Sequence, residues 1–464
     1  MRKLLLPAML VLAGCVSTPG YRAPDAVPAP RRTAPALGGS TPTPDPIGAE
    51  LFNDTTLTRL LGEAVTGNFD LQSAAARVRS AQSTRRTSAF DFAPTVTAVA
   101  GVSRRRIASA TFGGTFVIPD QTLFDVGAEL SWEVDLFGRL RQQHQARGAL
   151  VAAADADRRG VQVSLASAFA ATYFELRGDQ ARLAVARRNA ENQERSLDVV
   201  RERLDAGRGT GLDTERAAAQ FRSTMARIPS LEARIRSAQL RLEALAGRAR
   251  VEPDPALAAL APLPALPDTL VPGDLASIVR RRPDVASAER SYAAQRALSG
   301  AAKRDYLPKL SVNGNAGYTS LTFDSIGAAG TSRFSIGPVL SWPLLNLGRV
   351  KARADVASAD EAAAGARYQG IALAARQEIS AALVTYHASR HRLTDLGAAA
   401  TASRKAAELA RLRFESGIAD FLQVLDAERT TLDAEDQFVL GQVEAATALV
   451  NVYRAMGGPW ATVP

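Results

Sequence analysis

The chain has very little cysteine, histidine or methionine: its 464 residues include one Cys, three His and four Met. A single cysteine excludes any disulfide within the chain. The histidines are His144, His387 and His391. The last two stand four apart on a predicted helix, a spacing that can hold zinc. They are separated by Ala388-Ser389-Arg390, without the Glu of the metalloprotease pattern and with no evident third ligand, so they read as surface residues and no metal is expected. No nucleophile constellation or phosphate-binding loop occurs, and enzymatic chemistry is not expected. Aromatic residues make up only 6% of the chain and alanine is abundant, which fits thin, close-packed helices and argues against one large globular core. Arginine is scattered through helical segments without interleaved aromatics, which argues against nucleic acid as a partner.

The amino terminus is informative. Arg2 and Lys3 precede the apolar run Leu4 to Leu12, and Leu12-Ala13-Gly14-Cys15 follows, so residues 1–14 read as an export signal. The apolar run is too short for a bilayer core, which needs about 20 residues. The placement of Cys15 after Leu-Ala-Gly resembles the bacterial lipoprotein box, in which that cysteine carries the covalent lipid. Val16 follows, not the Asp that signals inner-membrane retention in many bacterial lipoproteins, so the outer membrane is favoured. Removing Arg2 and Lys3 with the signal takes the formal charge from +9 to +7, a modest basic excess that suits a long solvated surface or a charged lumen. Residues 15–47 are rich in Pro, Thr, Ala and Gly and read as a lipidated, extended tether. A second Pro-rich stretch, 251–272, reads as a linker between two larger segments, 48–250 and 273–458, with 459–464 as a tail.

Those two segments repeat one another. Leu130-Ser131-Trp132 followed by Gly138-Arg139 returns 210 residues later as Leu340-Ser341-Trp342 followed by Gly348-Arg349. The same offset pairs Arg201, Arg203 and Gly207 with Arg411, Arg413 and Gly417, and Gly247 with Gly457. A long-period repeat of this kind sets the architecture. Each copy reads as helix, hairpin, very long helix and shorter helix.

The hairpins show period-two alternation. Phe124, Val126, Ala128, Leu130, Trp132 and Val134 alternate with polar or small neighbours. Leu310 to Thr319 and Arg333 to Trp342 do the same, and Thr95 to Ser103 does so more weakly. The strands are expected at about 94–104, 123–135, 309–319 and 333–343. Segments of about ten residues with one apolar and one polar face suit a transmembrane β-barrel. Four strands cannot close a barrel, and an open edge is not tolerated in lipid, so the chain must oligomerise. Two copies would give eight strands and three would give twelve; the periodicity leaves both open. The long helices carry heptad seams: Phe169, Leu176, Leu183, Ala190, Leu197 and Leu204 in one copy, and Ile379, Tyr386, Leu393, Ala400, Ala407 and Phe414 in the other. Some 65 helical residues make a rod of about 100 Å.

Taken together, several segments resemble the outer-membrane efflux protein family, the TolC- and OprM-like channels, in its NodT-like lipoprotein branch. They are Asn68-Phe69-Asp70-Leu71, Phe92-Ala93-Pro94, Trp132-Glu133-Val134-Asp135-Leu136-Phe137-Gly138-Arg139, Arg281-Arg282-Pro283-Asp284-Val285, Tyr306-Leu307-Pro308 and Leu425-Asp426-Ala427-Glu428-Arg429. The resemblance implies a mainly α chain with a membrane β-barrel portion. Three copies would form a homotrimer with a 12-stranded barrel, continued by an α-helical coiled-coil barrel in the periplasm. It implies a passive exit duct with no cofactor beyond the lipid at Cys15. Its partners would be outer-membrane lipid, a periplasmic adaptor (membrane fusion protein) and an inner-membrane RND-type transporter.

The resemblance also implies a periplasmic gate. After the turn Phe414-Glu415-Ser416-Gly417, Leu422, Asp426 and Arg429 share one face of a helix at i, i+4 and i+7. In a trimer each becomes a ring of three, and apolar and ion-paired rings can close a pore. The plainer alternative is a solvated Asp426–Arg429 pair worth a few tenths of a kcal/mol. Gln423 stands where some members carry a second acidic residue, so the resemblance does not extend to a cation-binding acidic ring. The first tip, Gly207 to Arg216, contains Gly209 and Gly211 and is expected to turn more loosely. Arg203, Gly207, Arg413 and Gly417 mark the tips as contacts for the adaptor. Two other readings remain open: a conduit for type I protein secretion, and a coiled-coil adaptor or structural lipoprotein without a pore.

Overall fold

The structure, a computed structural model, describes residues 52, 54–106, 119–250, 252, 254–263, 266 and 274–458. The signal, Cys15, the tether and the carboxy-terminal tail lie outside the described residues. Helices α1 (Thr55–Gly67) and α2 (Phe69–Phe90) lead to strands β1 (Thr95–Arg105) and β2 (Gln121–Val134), then to the long helix α3 (Arg139–Asp205) and to α4 (Gly211–Leu245). After a short helix, α5 (Pro255–Ala258), the order recurs as α6 (Leu275–Arg281), α7 (Pro283–Arg304), β3 (Lys309–Ser320), β4 (Ser332–Ser341), α8 (Leu347–Glu415) and α9 (Phe421–Ala455). All four alternating segments are strands, and they form one antiparallel sheet in the order β1-β2-β3-β4.

Contacts divide the chain into two compact units, and both draw on both sequence copies. One contains Arg77–Asp155 and Ser287–Gln369, which is the sheet and the helix ends that flank it. The other is helical and includes Ala156–Ala286, with residues 54–76 and 370–458. In the helical unit the heptad seams are buried: Phe169, Leu176, Leu183, Ala190 and Leu197 on α3, and Ile379, Tyr386, Ala400, Ala407 and Phe414 on α8. Leu204, at the last turn of α3, is exposed, and Leu393 is half-buried. Leu57 and Leu60 of α1 are fully buried against Phe169, Phe174, Leu242 and Leu449. Each such leucine contributes about 1.5–3 kcal/mol relative to exposure. Part of the Pro-rich stretch is packed as well. The buried Arg177 donates to the carbonyls of Ala259 (2.7 Å) and Ala256 (2.9 Å), and Gln180 donates to that of Leu257 (2.8 Å), so α5 is pinned to α3.

The duplication extends beyond the segments that share the 210-residue offset. Asn68 and Arg282, which precede α2 and α7, are 214 apart, as are Phe92 and Tyr306. Fifteen residues join β1 to β2 and eleven join β3 to β4, so the offset falls from 214 to 210 across the hairpin. The equivalence is physical. Asn68 donates to the Leu245 carbonyl at the end of α4 (3.0 Å) while its side-chain oxygen accepts from the backbone of Asp70 and Leu71. Arg282 donates to the carbonyl of Ala455, the residue equivalent to Leu245, and holds Asp284 (2.8 Å) and Glu378 (2.7 Å). An amide and a guanidinium perform the same capping task.

The end of α4 turns at Gly247, with φ +70°, where an added Cβ would lie 2.2 Å from the Gly67 carbonyl oxygen. Gly62, inside α1, has open space around it. Gly247→Ala is therefore expected to cost about 2–4 kcal/mol through left-handed strain and collision, and Gly62→Ala to gain about 0.5–1 kcal/mol through helix propensity. Thermal unfolding of the two variants checks this; midpoints that move together would contradict it.

Candidate functional site

The two faces of the sheet have opposite chemistry. Residues paired directly across antiparallel strands share a face, so the register Val102↔Phe124, Val126↔Tyr318 and Ala316↔Phe334 puts these side chains together with Val96, Leu130, Ile336 and Leu340. Phe334 is 84% exposed and Ile336 68%, so nothing described in the chain covers this apolar face. The other face carries Thr97, Asp125, Glu129, Asn313, Asn315, Thr319, Arg333 and Ser335. There Arg333 donates to Thr319 (2.8 Å) and Asn315 (3.0 Å), and Thr319 donates to Asp125 (2.5 Å). Each hairpin is tied to the helix before it in the same way. The Trp132 indole donates to the Phe92 carbonyl (2.9 Å) and that of Trp342 to the Tyr306 carbonyl (3.0 Å).

The helical tips are built alike, which differs from the looser first turn expected from Gly209 and Gly211. Arg208 N donates to the Arg203 carbonyl (2.8 Å) and Gly207 N to that of Leu204 (2.9 Å); Ile418 and Gly417 repeat this onto Arg413 (2.9 Å) and Phe414 (3.0 Å). These are paired Schellman closures around Gly207 (φ +68°) and Gly417 (φ +72°). Thr210 and Asp420 then cap the next helices. Gly209 is required by close packing, since an added Cβ would lie 2.9 Å from Leu204 N.

Leu422, Asp426 and Arg429 are all exposed on one face of α9. Asp426 and Arg429 form no ion pair among the described residues, so the local i,i+3 pair does not occupy them. Leu422 has a counterpart in Leu212, similarly exposed, so of these three positions Asp426 and Arg429 are the two that lack a like residue in the first copy, where Arg216 and Ala219 stand. Of the tip residues, Gly207, Arg413 and Gly417 are exposed. Arg203 is half-buried and engaged within the chain. It donates to the Phe414 carbonyl (2.9 Å) and lies 4.0 Å over the Phe414 ring, joining the tip of α3 to that of α8.

Behind the exposed face of α9, buried carboxylates hold three helices together in layers seven residues apart. Glu435 of α9 accepts from Arg188 (2.7 Å) and Asn189 (3.2 Å) of α3 and from Arg404 of α8 (2.8 Å). One heptad nearer the tip, Glu428 accepts from Ser196 (2.8 Å) and Arg411 (2.9 Å). A heptad further, Phe421 packs on Phe414 beside Arg203. Between the layers, Leu197, Val200 and Val424 are buried. Composition and periodicity singled out none of these carboxylates, although the spacing of Glu428 to Glu435 and Arg404 to Arg411 was there to be read. The sequence pair His387 and His391 lies exposed on α8.

A family model described as "Outer membrane efflux protein" matches residues 60–248 and 275–458. The solvent efflux pump outer membrane protein SrpC of Pseudomonas putida is 30% identical over 462 residues, covering 98% of this chain and 97% of its own length. The probable outer membrane lipoprotein SilC of Salmonella typhimurium is 27% identical over 467 residues, covering 99% of each. Among solved structures, the outer-membrane channel OprN is 36% identical, with a TM-score of 0.87, over 96% of this chain and all of its own.

The layers make the coil near the tip sensitive to acid. Burial works against the charge of Glu435, but Arg188, Arg404 and Asn189 outweigh it and hold its carboxyl below the ordinary 4.5. A depressed carboxyl stabilises the fold fully above the unfolded value and loses that contribution as pH falls through the folded one. Both arginines reach water, so Glu435→Gln should cost about 1–2 kcal/mol at neutral pH and almost nothing well below pH 4.5. Unfolding midpoints of parent and variant across pH measure this; a gap unchanged in acid would contradict it.

Proposed function

The chain belongs to the outer membrane efflux protein family, and from that premise we propose that three copies assemble into one continuous duct. The function is that of an outer-membrane efflux channel protein, and the family and its relatives are channel and transport proteins. It resides in the outer membrane and extends into the periplasm. The observation that carries the trimer reading is the sheet whose outer edges, β1 and β4, are unpaired among the described residues and whose apolar face is exposed. A row of unpaired backbone groups is not tolerated in lipid. Two copies would give eight strands, whose interior side chains fill the barrel and leave no path for solutes. Three copies give twelve strands, with the polar face of Arg333, Asn315 and Glu129 lining a wet lumen.

In this reading Cys15 carries the lipid that anchors the tether. The duct is passive; solutes reach it from an inner-membrane RND-type pump through a periplasmic adaptor that meets the tips at Gly207, Arg413 and Gly417. No helix among the described residues is long and apolar enough to cross a membrane. In this reading the exposed apolar face of the sheet meets the lipid. Leu422, Asp426 and Arg429 form the periplasmic gate. Their common exposed face, without ion pairs among the described residues, supports this: three neighbouring α9 helices could exchange Asp426–Arg429 pairs between copies, with Leu422 as the dry ring. Such pairs hold helices that would otherwise separate.

Asp426→Ala and Arg429→Ala should each raise the single-channel conductance of the purified protein in planar bilayers by several-fold, because each leaves the other charge without its partner. Conductance unchanged in both variants would remove the gate assignment, and no conductance from any form would remove the channel itself.

A further inference from the structure

The helix ends that flank the sheet hold a charge excess as large as that expected of the whole chain without its signal. Segments 85–94, 135–147, 296–308 and 342–355 carry eleven Lys and Arg against four Asp and Glu. The intervening stretches 95–134 and 309–341, which contain the strands and their loops, are balanced at five against five. Several of these cations have no counter-charge among the described residues. Arg85, Arg86, Arg349 and Arg353 are exposed and form no ion pair among the described residues. Like charges crowded in this way cost free energy unless an anionic surface meets them.

The same place exposes apolar side chains. Trp342 continues the alternation of Phe334, Ile336 and Leu340 and so ends the apolar face of the sheet. It is 53% exposed, Leu344 55% and Leu345 99%. Leu345 lies in the short 3-10 turn Leu344–Asn346, and Arg349 and Arg353 follow four residues apart in the first turns of α8, a spacing that aligns side chains along one side of a helix. Between them Lys351 is held by Asp355 (2.7 Å) and is not available in the same way. An exposed indole and leucines followed by aligned arginines is the composition of a segment lying at a membrane interface. The first copy lacks it: its equivalent segment carries Glu133, closed onto Arg139 (2.7 Å), and Asp135, which caps α3.

We propose that the junction from Trp342 to Arg353 binds the anionic phospholipids of the periplasmic leaflet. Trp342, Leu344 and Leu345 lie among the first acyl carbons, and Arg349 and Arg353 hold the headgroup phosphates. The proposal rests on the reading of the sheet as lipid-spanning. It is continuous with the apolar face, which fixes the depth of Trp342, and arginine is suited to phosphate because its planar donors meet two oxygens at once. In a trimer the junction occurs three times around the rim, a collar that resists tilting and vertical slip.

Trp342 is its own probe. In a W132F/W460F background it is the only tryptophan, and brominated lipids quench it on contact. The purified full-length channel would be reconstituted into vesicles of phosphatidylcholine with phosphatidylglycerol, with one or the other brominated. Brominated phosphatidylglycerol should compete for the site about three- to tenfold better than brominated phosphatidylcholine at low salt. That preference should shrink as ionic strength rises. R349Q/R353Q should bring it to unity, while R349K/R353K, which keeps the charge and controls for folding, should retain most of it. Equal quenching in the parent, or a preference that survives R349Q/R353Q, would overturn the proposal. So would an R349Q/R353Q channel with altered ion selectivity and unaltered lipid preference, since the arginines would then face the water path. Absence of quenching by any brominated lipid would remove the lipid-spanning reading itself, whereas quenching without preference would remove only the collar.

Discussion

A sheet of four strands with an apolar face and two bare edges cannot be a finished object in a membrane. Within lipid every backbone N–H and C=O must have a partner, because no water is present to supply one. Among the described residues, β1 and β4 each have one row of backbone groups with no partner strand. The remaining features follow from completing those rows. In the proposed trimer the strands are joined by copies of themselves and the polar face turns inward.

Duplication meets this constraint economically. Each copy supplies one hairpin and one long helical pair, and the joints between them recur in kind. Trp132 and Trp342 tie a strand to the helix before it; Asn68 and Arg282 tie the first helix of each copy to the end of its last. The copies differ at the residues to which the two proposed roles are assigned. Asp426 and Arg429 stand only in the second tip, and the exposed Leu345-Arg349-Arg353 line stands only beyond the second hairpin. The tips themselves share one turn geometry.

Much of this could be read from residues alone. Period two located the strands because one side of each meets apolar surroundings and the other meets polar ones. The seven-residue seam located the buried stripes of α3 and α8 because Phe169, Leu176, Ile379 and their like recur at the coiled-coil spacing. The contacts that lock the tip were not readable. Glu435 meets Arg188 across 247 positions, and Arg203 meets Phe414 across 211. A charged residue at a heptad position looks like a solvated face until the partner helix is in place. Gly209 misled for a related reason: glycine serves both loose turns and close approach, and only the distance to Leu204 separates them. The single 210-residue offset concealed a second, 214, because the longer first hairpin shifts everything before it.

The central claim is that β1 of one chain completes β4 of the next. Cys15 is the only native cysteine, so a C15S background allows introduced pairs to report without interference. With Ala98→Cys on β1 combined in turn with Phe334→Cys, Ile336→Cys and Pro338→Cys on β4, mild oxidation of the protein in outer membranes should join chains covalently. Ladders should end at three chains, with one register favoured. Failure of every register to cross-link, or a closed ladder ending at two chains, would contradict the account.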